Sequence, residues 1–169
     1  MAEQTSGDAF ADVIAGNEEY AKIRDSRDLE ARAAKGLAVL TCMDSRIEPL
    51  HMLGLDRGDA KILRNAGARV TDDVLRTLVL GRYLLGVERV MVVQHTRCRM
   101  AGGTEDDVHD AVSAAGGPDT RSLAFLTSPD QEAAVLADVQ RVRSYPYLPG
   151  IAVGGFIYDL DTGLLRPVV

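Results

Sequence analysis

The stretch LAVLTCMDSR, residues 37–46, joins an apolar run to three reactive side chains. Cys42, Asp44 and Arg46 occupy alternate positions directly behind the run LAVL. A short continuous apolar run of this kind is consistent with a strand that is buried on both faces. Thiol, carboxylate and guanidinium groups are costly to bury unless they have partners. The stretch therefore predicts a core strand over 37–41 with a functional site at its carboxyl end.

A second stretch, RVMVVQHTRC at 89–98, has the same organisation. Its apolar half predicts a strand over 89–93, and His95 and Cys98 follow that strand. Strands that alternate with helical patterns indicate a parallel sheet, in which functional groups gather beyond the carboxyl ends of the strands. We therefore expect Cys42 and His95 to lie close together.

The rest of the chain supplies the other elements of an α/β fold. The patterns predict a helix over 8–24 capped by Asp8, a one- to two-turn helix from Pro49 to Gly54, a strand over 60–64, a helix from Thr71 to about Gly86, an acidic helix from Thr104 to about Ala115, a strand or buried connector over 122–127, a helix from Ser128 to about Arg143, and a closing β-hairpin over 151–169. The predicted fold is a mostly parallel sheet of about four strands, flanked by helices, with a C-terminal β-hairpin or added antiparallel strand. A chain of 169 residues is expected to form one domain over 1–169.

Composition narrows the class of partner and the compartment. A net charge of −6 and a pI near 5.0 argue against nucleic acid, which requires clustered Lys and Arg. The sequence has no apolar run of about 18 residues and no export signal, so we expect no membrane association and a cytoplasmic location. In that compartment the two cysteines stay reduced, which favours thiol or metal chemistry over a disulfide.

Two thiolates and one imidazole are a set of ligands typical of zinc. His95 and Cys98 can close a chelate on one loop, and Cys42 comes from a neighbouring strand end. Three protein ligands leave one tetrahedral position open to water, which is the pattern of a catalytic zinc. Zinc lowers the pKa of bound water far enough to supply hydroxide near neutral pH.

Asp44 and Arg46 are the candidate groups beside such a site. Asp44 is predicted to accept a hydrogen bond from the hydroxide and to help carry the proton away. Arg46 is on the same side of an extended segment and is expected to fix the carboxylate through a two-pronged contact. If that pair broke, Asp44 could turn onto the zinc and close the site.

Other interpretations of these residues stay open. Buried free cysteines are often simple core residues, and Asp44 and Arg46 alone are compatible with a turn residue and a surface charge. A non-catalytic zinc protein or redox sensor, with Asp44 in the fourth position, is a further alternative. We interpret His51, and His109 on a solvent-facing helix, as ordinary surface or packed histidines.

Three motifs together resemble one known family. Residues 42–98 resemble the β-class carbonic anhydrases, which share Cys-x-Asp-x-Arg, Arg-Asn-Ala-Gly and His-x-x-Cys in this order. The ending GGFIYDLDTGLLRPV, 154–168, is similar to the last strand pair of the family's shorter members. Those shorter members include relatives that hydrolyse carbonyl sulfide or carbon disulfide.

The resemblance implies an activity, a cofactor and an assembly. The activity is the reversible hydration of CO2 to bicarbonate, with carbonyl sulfide or carbon disulfide hydrolysis as the alternative. The assembly is a homodimer or homotetramer in which the helix over 8–24 reaches across to the partner. The implied residues are Cys42, His95 and Cys98 on Zn2+, the catalytic pair Asp44 and Arg46, and the substrate-pocket residues Asn65, Ala66 and Gly67, with Arg64 structural.

The sequence departs from the family at the second cysteine. Many members have Gly directly after it, where this chain has Arg99. If that backbone needs a positive φ, Arg99 is strained by about 1 kcal/mol. Alternatively, Arg97 and Arg99 raise the local positive potential and favour thiolates and bound bicarbonate.

Overall fold

A computed structural model of the protein describes residues 8–24 and 28–169. Its helices and strands are α1 (Ala11–Ile23), β1 (Leu37–Cys42), β2 (Ala60–Asn65), α2 (Asp72–Leu84), β3 (Arg89–His95), α3 (Glu105–Ala114), α4 (Gln131–Arg143), β4 (Ala152–Tyr158) and β5 (Leu165–Pro167). Short 3₁₀ turns lie at Asp8–Phe10, His51–Leu53, Ala66–Ala68 and Arg99–Ala101. Across the described ranges, none of the helices is long and apolar enough to cross a bilayer.

The strands form one sheet in the order β2-β1-β3-β4-β5. The first four strands are parallel, and β5 is antiparallel to β4, which confirms the predicted fold class. Thr41 of β1 lies opposite Val93 of β3, so these two strands end at the same level. The register therefore brings Cys42 and His95 to one edge of the sheet.

The central strands are buried because both faces of the sheet are covered. All six residues of β1 are buried. On one face Leu40 and Val92 pack into a cluster with Leu78 of α2 and Val139 of α4. The other face has a smaller cluster that includes Val39 and is completed by the chain around 52–55. A strand held in this way offers its carboxyl end as a rigid support for side chains.

Residues 122–127 are an irregular connector, so the prediction of a strand there is wrong. The backbone N–H groups of Phe125 and Thr127 donate to the Glu105 carboxylate, at 2.7 Å each, instead of to a strand. The connector is also more exposed than a buried one would be, since Leu123 is 55% exposed. The fourth parallel strand is β4.

Two helix starts differ from the prediction. α4 begins at Gln131 and not at Ser128, because the Asp130 side chain caps it by accepting a hydrogen bond from Ala133 N. The N-cap of α1 is Phe10 and not Asp8, and Phe10 provides no capping side-chain hydrogen bond. The 3₁₀ turn that precedes α1 accounts for the shift.

His109 on α3 faces inward, so the expectation of a solvent-facing position is wrong for this residue. It is 8% exposed, its Nδ1 lies 2.9 Å from Thr120 Oγ1, and its ring lies 5.3 Å from that of Phe125. The interpretation as a packed histidine is confirmed. These contacts attach α3 to Thr120, 11 residues further along the chain, and to Phe125 of the connector.

Glu105 holds the connector through its charge, which makes that contact sensitive to pH. The N–H groups of Thr127 and Phe125 lower the pKa of Glu105 in the folded protein. A lowered folded pKa gives stabilisation that is present above the unfolded value of about 4.3 and is lost as the pH falls through the folded pKa.

We expect Glu105→Gln to lower the free energy of unfolding by about 1 kcal/mol near pH 7, because Gln offers one neutral acceptor oxygen where the carboxylate accepts one N–H group on each oxygen. The difference from the unsubstituted protein should shrink as the pH falls below about 4. Urea denaturation at several pH values measures it. Asp106→Asn removes the same charge from the same helix end, and equal losses in the two variants would contradict this role of Glu105.

Candidate metal centre

Three potential ligands meet at the carboxyl edge of the sheet. The ligand atoms of Cys42, His95 and Cys98 all lie within 4.8 Å of one another, and all three residues are buried. The two sulfurs are 3.9 Å apart. A tetrahedral zinc with sulfur at about 2.3 Å separates two sulfurs by about 3.8 Å, so the observed spacing fits this metal.

The His95 ring is oriented for metal binding. Its Nδ1 lies 2.9 Å from the carbonyl oxygen of Thr96. A carbonyl oxygen only accepts, so Nδ1 carries the proton and Nε2 presents a lone pair. His95 is fully buried, and Nε2 has no hydrogen-bond partner within the described part of the chain. A buried lone pair of this kind is costly unless a cation or donor satisfies it.

Hydrogen bonds favour the thiolate form of Cys42. The Cys98 S–H is the main cause that holds the pKa of Cys42 well below its usual value; burial opposes the charge, and the nearby backbone N–H groups of Gly67 and Asp44 lower the pKa further. The pKa of Cys98 is raised, chiefly because its proton is the one that Cys42 accepts. We assign the thiolate to Cys42, where the donors converge. Thiolate is the form that binds metal.

Asp44 and Arg46 form the predicted two-pronged contact. Arg46 Nε donates to Asp44 Oδ1 at 2.9 Å, and Arg46 Nη2 donates to Asp44 Oδ2 at 2.6 Å. The Arg46 side chain is the main cause that holds the pKa of Asp44 well below its usual range, so the carboxylate is ionised at neutral pH. Its Oδ2 lies 3.8 Å from His95 Nε2. An ionised carboxylate therefore stands beside the ligand set while it is tied to Arg46.

Arg64 supports the same segment from the neighbouring strand. Its guanidinium donates to the carbonyl oxygens of Cys42, at 3.0 Å, and Asp44, at 2.7 Å. These contacts bond the end of β1 to β2 and agree with the expected structural role of Arg64.

The Arg-Asn-Ala-Gly turn is built around the Asn65 amide. Asn65 donates to the carbonyl of Arg69 at 2.7 Å and accepts from Arg69 N at 2.8 Å, so its side chain is engaged within the turn. Gly67 has a φ of +75°, and a Cβ there would lie 3.1 Å from Cβ of Met100. Asn65 and Ala66 line a cavity of about 530 Å³. Contact of this turn with substrate stays a prediction.

Sequence reasoning missed the buried pair of Arg69 and Asp138. Arg69 Nε donates to Asp138 Oδ2 at 2.6 Å, and its Nη1 donates to the carbonyl of Leu126 at 2.8 Å. The pair joins the turn to α4 and to the connector. The partners are 69 residues apart, and no local pattern indicates such a contact.

Arg99 does not carry the strain that its position suggested. It begins a 3₁₀ turn and is not among the described non-glycine residues with positive φ. The left-handed residue of this loop is Arg97, with a φ of +56°. Arg97 pairs with Asp161 at 2.8 Å, so much of the positive potential expected from Arg97 is balanced.

The family can now be stated from comparison with known proteins. The family model described as carbonic anhydrase matches residues 37–165. The chain belongs to the β-carbonic anhydrase family. It is 33% identical over 162 residues to β-carbonic anhydrase 1 of Mycobacterium tuberculosis, covering 93% of this chain and 96% of that protein.

Two further relatives place this family member in context. A carbonic anhydrase from Streptococcus mutans has a solved structure that superposes with a TM-score of 0.89 at 36% identity, covering 98% of this chain and 99% of that one. The carbon disulfide hydrolase of Acidithiobacillus thiooxidans is 30% identical over 78% of this chain and 76% of its own length. Membership of the family therefore leaves the substrate open.

Gly67 and Gly54 provide a matched test of how tightly the turn is packed. Both have left-handed backbones, but no atom lies within 4 Å of a Cβ at Gly54. We expect Gly54→Ala to cost about 1 kcal/mol from backbone strain. Gly67→Ala should cost about 1–3 kcal/mol more, because the added methyl group would lie only 3.1 Å from Met100 Cβ and Met100 would have to shift. Urea denaturation of both variants measures the difference. Equal losses in the free energy of unfolding would show that the turn accommodates the added methyl group without strain.

Proposed function

We propose that the protein is a carbonate dehydratase that catalyses the zinc-dependent, reversible hydration of CO2 to bicarbonate. The observation that carries the proposal is the convergence of Cys42, His95 and Cys98 within 4.8 Å, beside a carboxylate that is tied to Arg46. A soft, buried set of two sulfurs and one imidazole suits zinc and leaves one of its four positions to the reaction.

The proposed metal ligands are Cys42 Sγ, Cys98 Sγ and His95 Nε2. Zinc bound there would supply an activated water near neutral pH. The protein's own contribution is to hold the three donor atoms in place and to exclude water from them. Ile47 is 1% exposed and packs with the two cysteines, and Met52 and Met100 close the same cluster.

Asp44 is the proposed proton acceptor and orienting group. Because its carboxylate is ionised, it can accept a hydrogen bond from the attacking water and hold that water's lone pair toward CO2. Arg46 keeps both carboxylate oxygens in a fixed plane, since each receives a guanidinium N–H. The pair also keeps Asp44 from turning toward the metal ligands.

The turn over 65–67 is the proposed wall of the substrate pocket. Asn65 pairs directly with Cys42 in the sheet, so the turn begins beside the first ligand. The Asn65 side chain is engaged within the turn, so the backbone and Ala66 are the parts that can face a small substrate. CO2 and bicarbonate need no larger recognition surface.

Hydrolysis of carbonyl sulfide or carbon disulfide is the second candidate on the same site. The similarity to a carbon disulfide hydrolase favours it, as does the apolar packing of Met52, Met100 and Leu160 around the sulfurs. Release of sulfide from carbonyl sulfide, measured beside CO2 turnover on one zinc-loaded sample, separates the two activities.

We expect Asp44→Ala to lower kcat for CO2 hydration by roughly 10²-fold while the protein keeps its zinc, because a proton-transfer group is lost and the three ligands are not. Cys98→Ser should lose the metal itself. Stopped-flow CO2 hydration and metal analysis on the same samples measure both effects.

His51→Ala is the control, since His51 is exposed and lies outside the ligand set. Full activity in Asp44→Ala would contradict the role of Asp44, and absence of CO2 hydration in the zinc-loaded unsubstituted protein would instead support a non-catalytic zinc or redox-sensing protein. A chelator should abolish activity, and restored zinc should recover it.

We further propose that the protein acts as a homodimer, or as a homotetramer built from dimers, in which α1 packs on the partner. α1 has no buried residue in its own chain. An isolated helix of 13 residues is marginal in water, so α1 needs an apolar surface to cover it. The uncovered apolar side chains of α1 and its N-cap residue are Phe10, Val13, Ile14, Tyr20 and Ile23.

We expect Ile14→Glu to shift the protein toward monomer, because it places a charge on the 53% exposed apolar side chain of Ile14 at the proposed interface. Ala15→Glu adds the same charge on the opposite, exposed face of α1 and should leave the assembly unchanged. Sedimentation velocity measures both variants, and a monomeric unsubstituted protein would contradict the proposal.

We place the enzyme in the cytoplasm, where its two free cysteines stay reduced and able to bind metal.

A further inference from the structure

Arg97 has a backbone conformation that its residue type disfavours. Its φ is +56°, and the only other non-glycine residues with positive φ in the described ranges are Ala68 and Leu126. This region is unfavourable for an L-residue, because Cβ then lies close to the backbone carbonyl. Arg97 lies between the proposed ligands His95 and Cys98, so the unfavourable conformation lies within the loop that provides two of the three ligands.

The left-handed conformation directs the Arg97 carbonyl oxygen at the catalytic pair. Arg46 Nη2 donates to that oxygen at 3.2 Å. The same nitrogen donates to Asp44 Oδ2 at 2.6 Å. The Arg97 carbonyl is thus a second acceptor for the nitrogen that holds the carboxylate beside the metal ligands, and it limits how far the guanidinium can rotate.

The C-terminal turn holds the loop in this position. Thr96 N donates to the carbonyl of Tyr158 at 2.9 Å, and Leu160 N donates to Thr96 Oγ1 at 3.0 Å. The Arg97 guanidinium pairs with Asp161 at 2.8 Å. Asp161 is itself fixed, because its backbone N–H donates to the Asp159 carboxylate at 2.8 Å.

The backbone of Arg97 matters more here than its charge. The side chains of Arg97 and Asp161 are 55% and 67% exposed, and exposed ion pairs contribute little. The Arg97 carbonyl, in contrast, accepts a hydrogen bond from Arg46, which belongs with Asp44 to the pair on which the proposed reaction depends. A residue that acts in this way is a positioning residue for Arg46.

We propose that Arg97 is a positioning residue: its left-handed backbone aims a carbonyl at Arg46, and this contact keeps Asp44 paired with Arg46 and away from the metal. The proposal rests on the proposed function, since it assigns Arg97 a part in that reaction. When the carbonyl turns away, Arg46 Nη2 loses one of its two acceptors. Asp44 is then free to turn toward His95 Nε2, 3.8 Å away.

The test compares two substitutions that differ in how they treat the backbone. Arg97→Gly removes the ion pair but adopts positive φ readily, so we expect a loss in kcat/KM of only twofold to threefold. Arg97→Val removes the same ion pair, and its β-branched side chain disfavours positive φ. We expect it to lose about tenfold or more. Arg121→Val, at an exposed arginine that is also ion-paired, is the control and should keep full turnover.

A double substitution separates positioning from damage to the ligand loop. If Arg97 acts through Arg46, Arg97→Val should cause no further loss in an Arg46→Ala background. Metal analysis should find zinc retained in Arg97→Val. Equal losses in the Gly and Val variants, full additivity with Arg46→Ala, or loss of zinc from Arg97→Val would each overturn the proposal.

The visible spectrum of the cobalt-substituted protein supplies a readout that does not depend on turnover. We expect the Arg97→Val spectrum to resemble that of Arg46→Ala, in which Asp44 is released, and the Arg97→Gly spectrum to resemble that of the unsubstituted protein. The opposite pattern would overturn the positioning role. Absence of CO2 hydration in the unsubstituted protein would contradict the proposed function. The cobalt spectra would still test the role of Arg97, because they do not depend on turnover.

Discussion

The parallel register of β1 and β3 is the constraint from which the candidate site follows. Thr41 lies opposite Val93, so both strands end at one edge of the sheet, β1 with Cys42 and β3 with His95. β1 is bonded on both sides, and neither strand can slide without breaking a full ladder of backbone hydrogen bonds. The position of Cys42 relative to His95 is therefore set by the sheet and not by the loops.

Around that edge, most of the supporting contacts are made by backbone groups. The Thr96 carbonyl fixes the His95 ring, and the carbonyls of Cys42 and Asp44 accept hydrogen bonds from Arg64. Contacts of this kind position donor atoms at little entropic cost, because the backbone is already ordered. The Asp44 carboxylate is held by a side chain instead, because both of its oxygens accept from Arg46.

The features that the sequence predicted well are those with a local or repetitive signal. Apolar runs indicate the buried strands, and polar residues at the strand ends follow from the geometry of parallel sheets, so Cys42, Asp44 and His95 could be placed together. The features that it missed depend on distant partners. His109 is buried only because Thr120 and Phe125 fold back over it.

The connector and the left-handed loop residue show the same limit. The connector over 122–127 has the composition of a strand, but Glu105 takes its N–H groups. The loop that contains Arg97 is hydrogen-bonded through Thr96 to a turn more than 60 residues away along the chain, whereas comparison with the family's glycine pointed to Arg99 instead. Local patterns carry no information on either outcome.

The most direct test of the central claim is a crystal structure of the zinc-loaded protein at about pH 8, with the metal located by anomalous scattering at the zinc edge. We expect one zinc bound by Cys42 Sγ, Cys98 Sγ and His95 Nε2, with a solvent molecule in the fourth position and Asp44 still paired with Arg46. Zinc bound elsewhere, or at this site with the Asp44 carboxylate in the fourth position under these conditions, would contradict it.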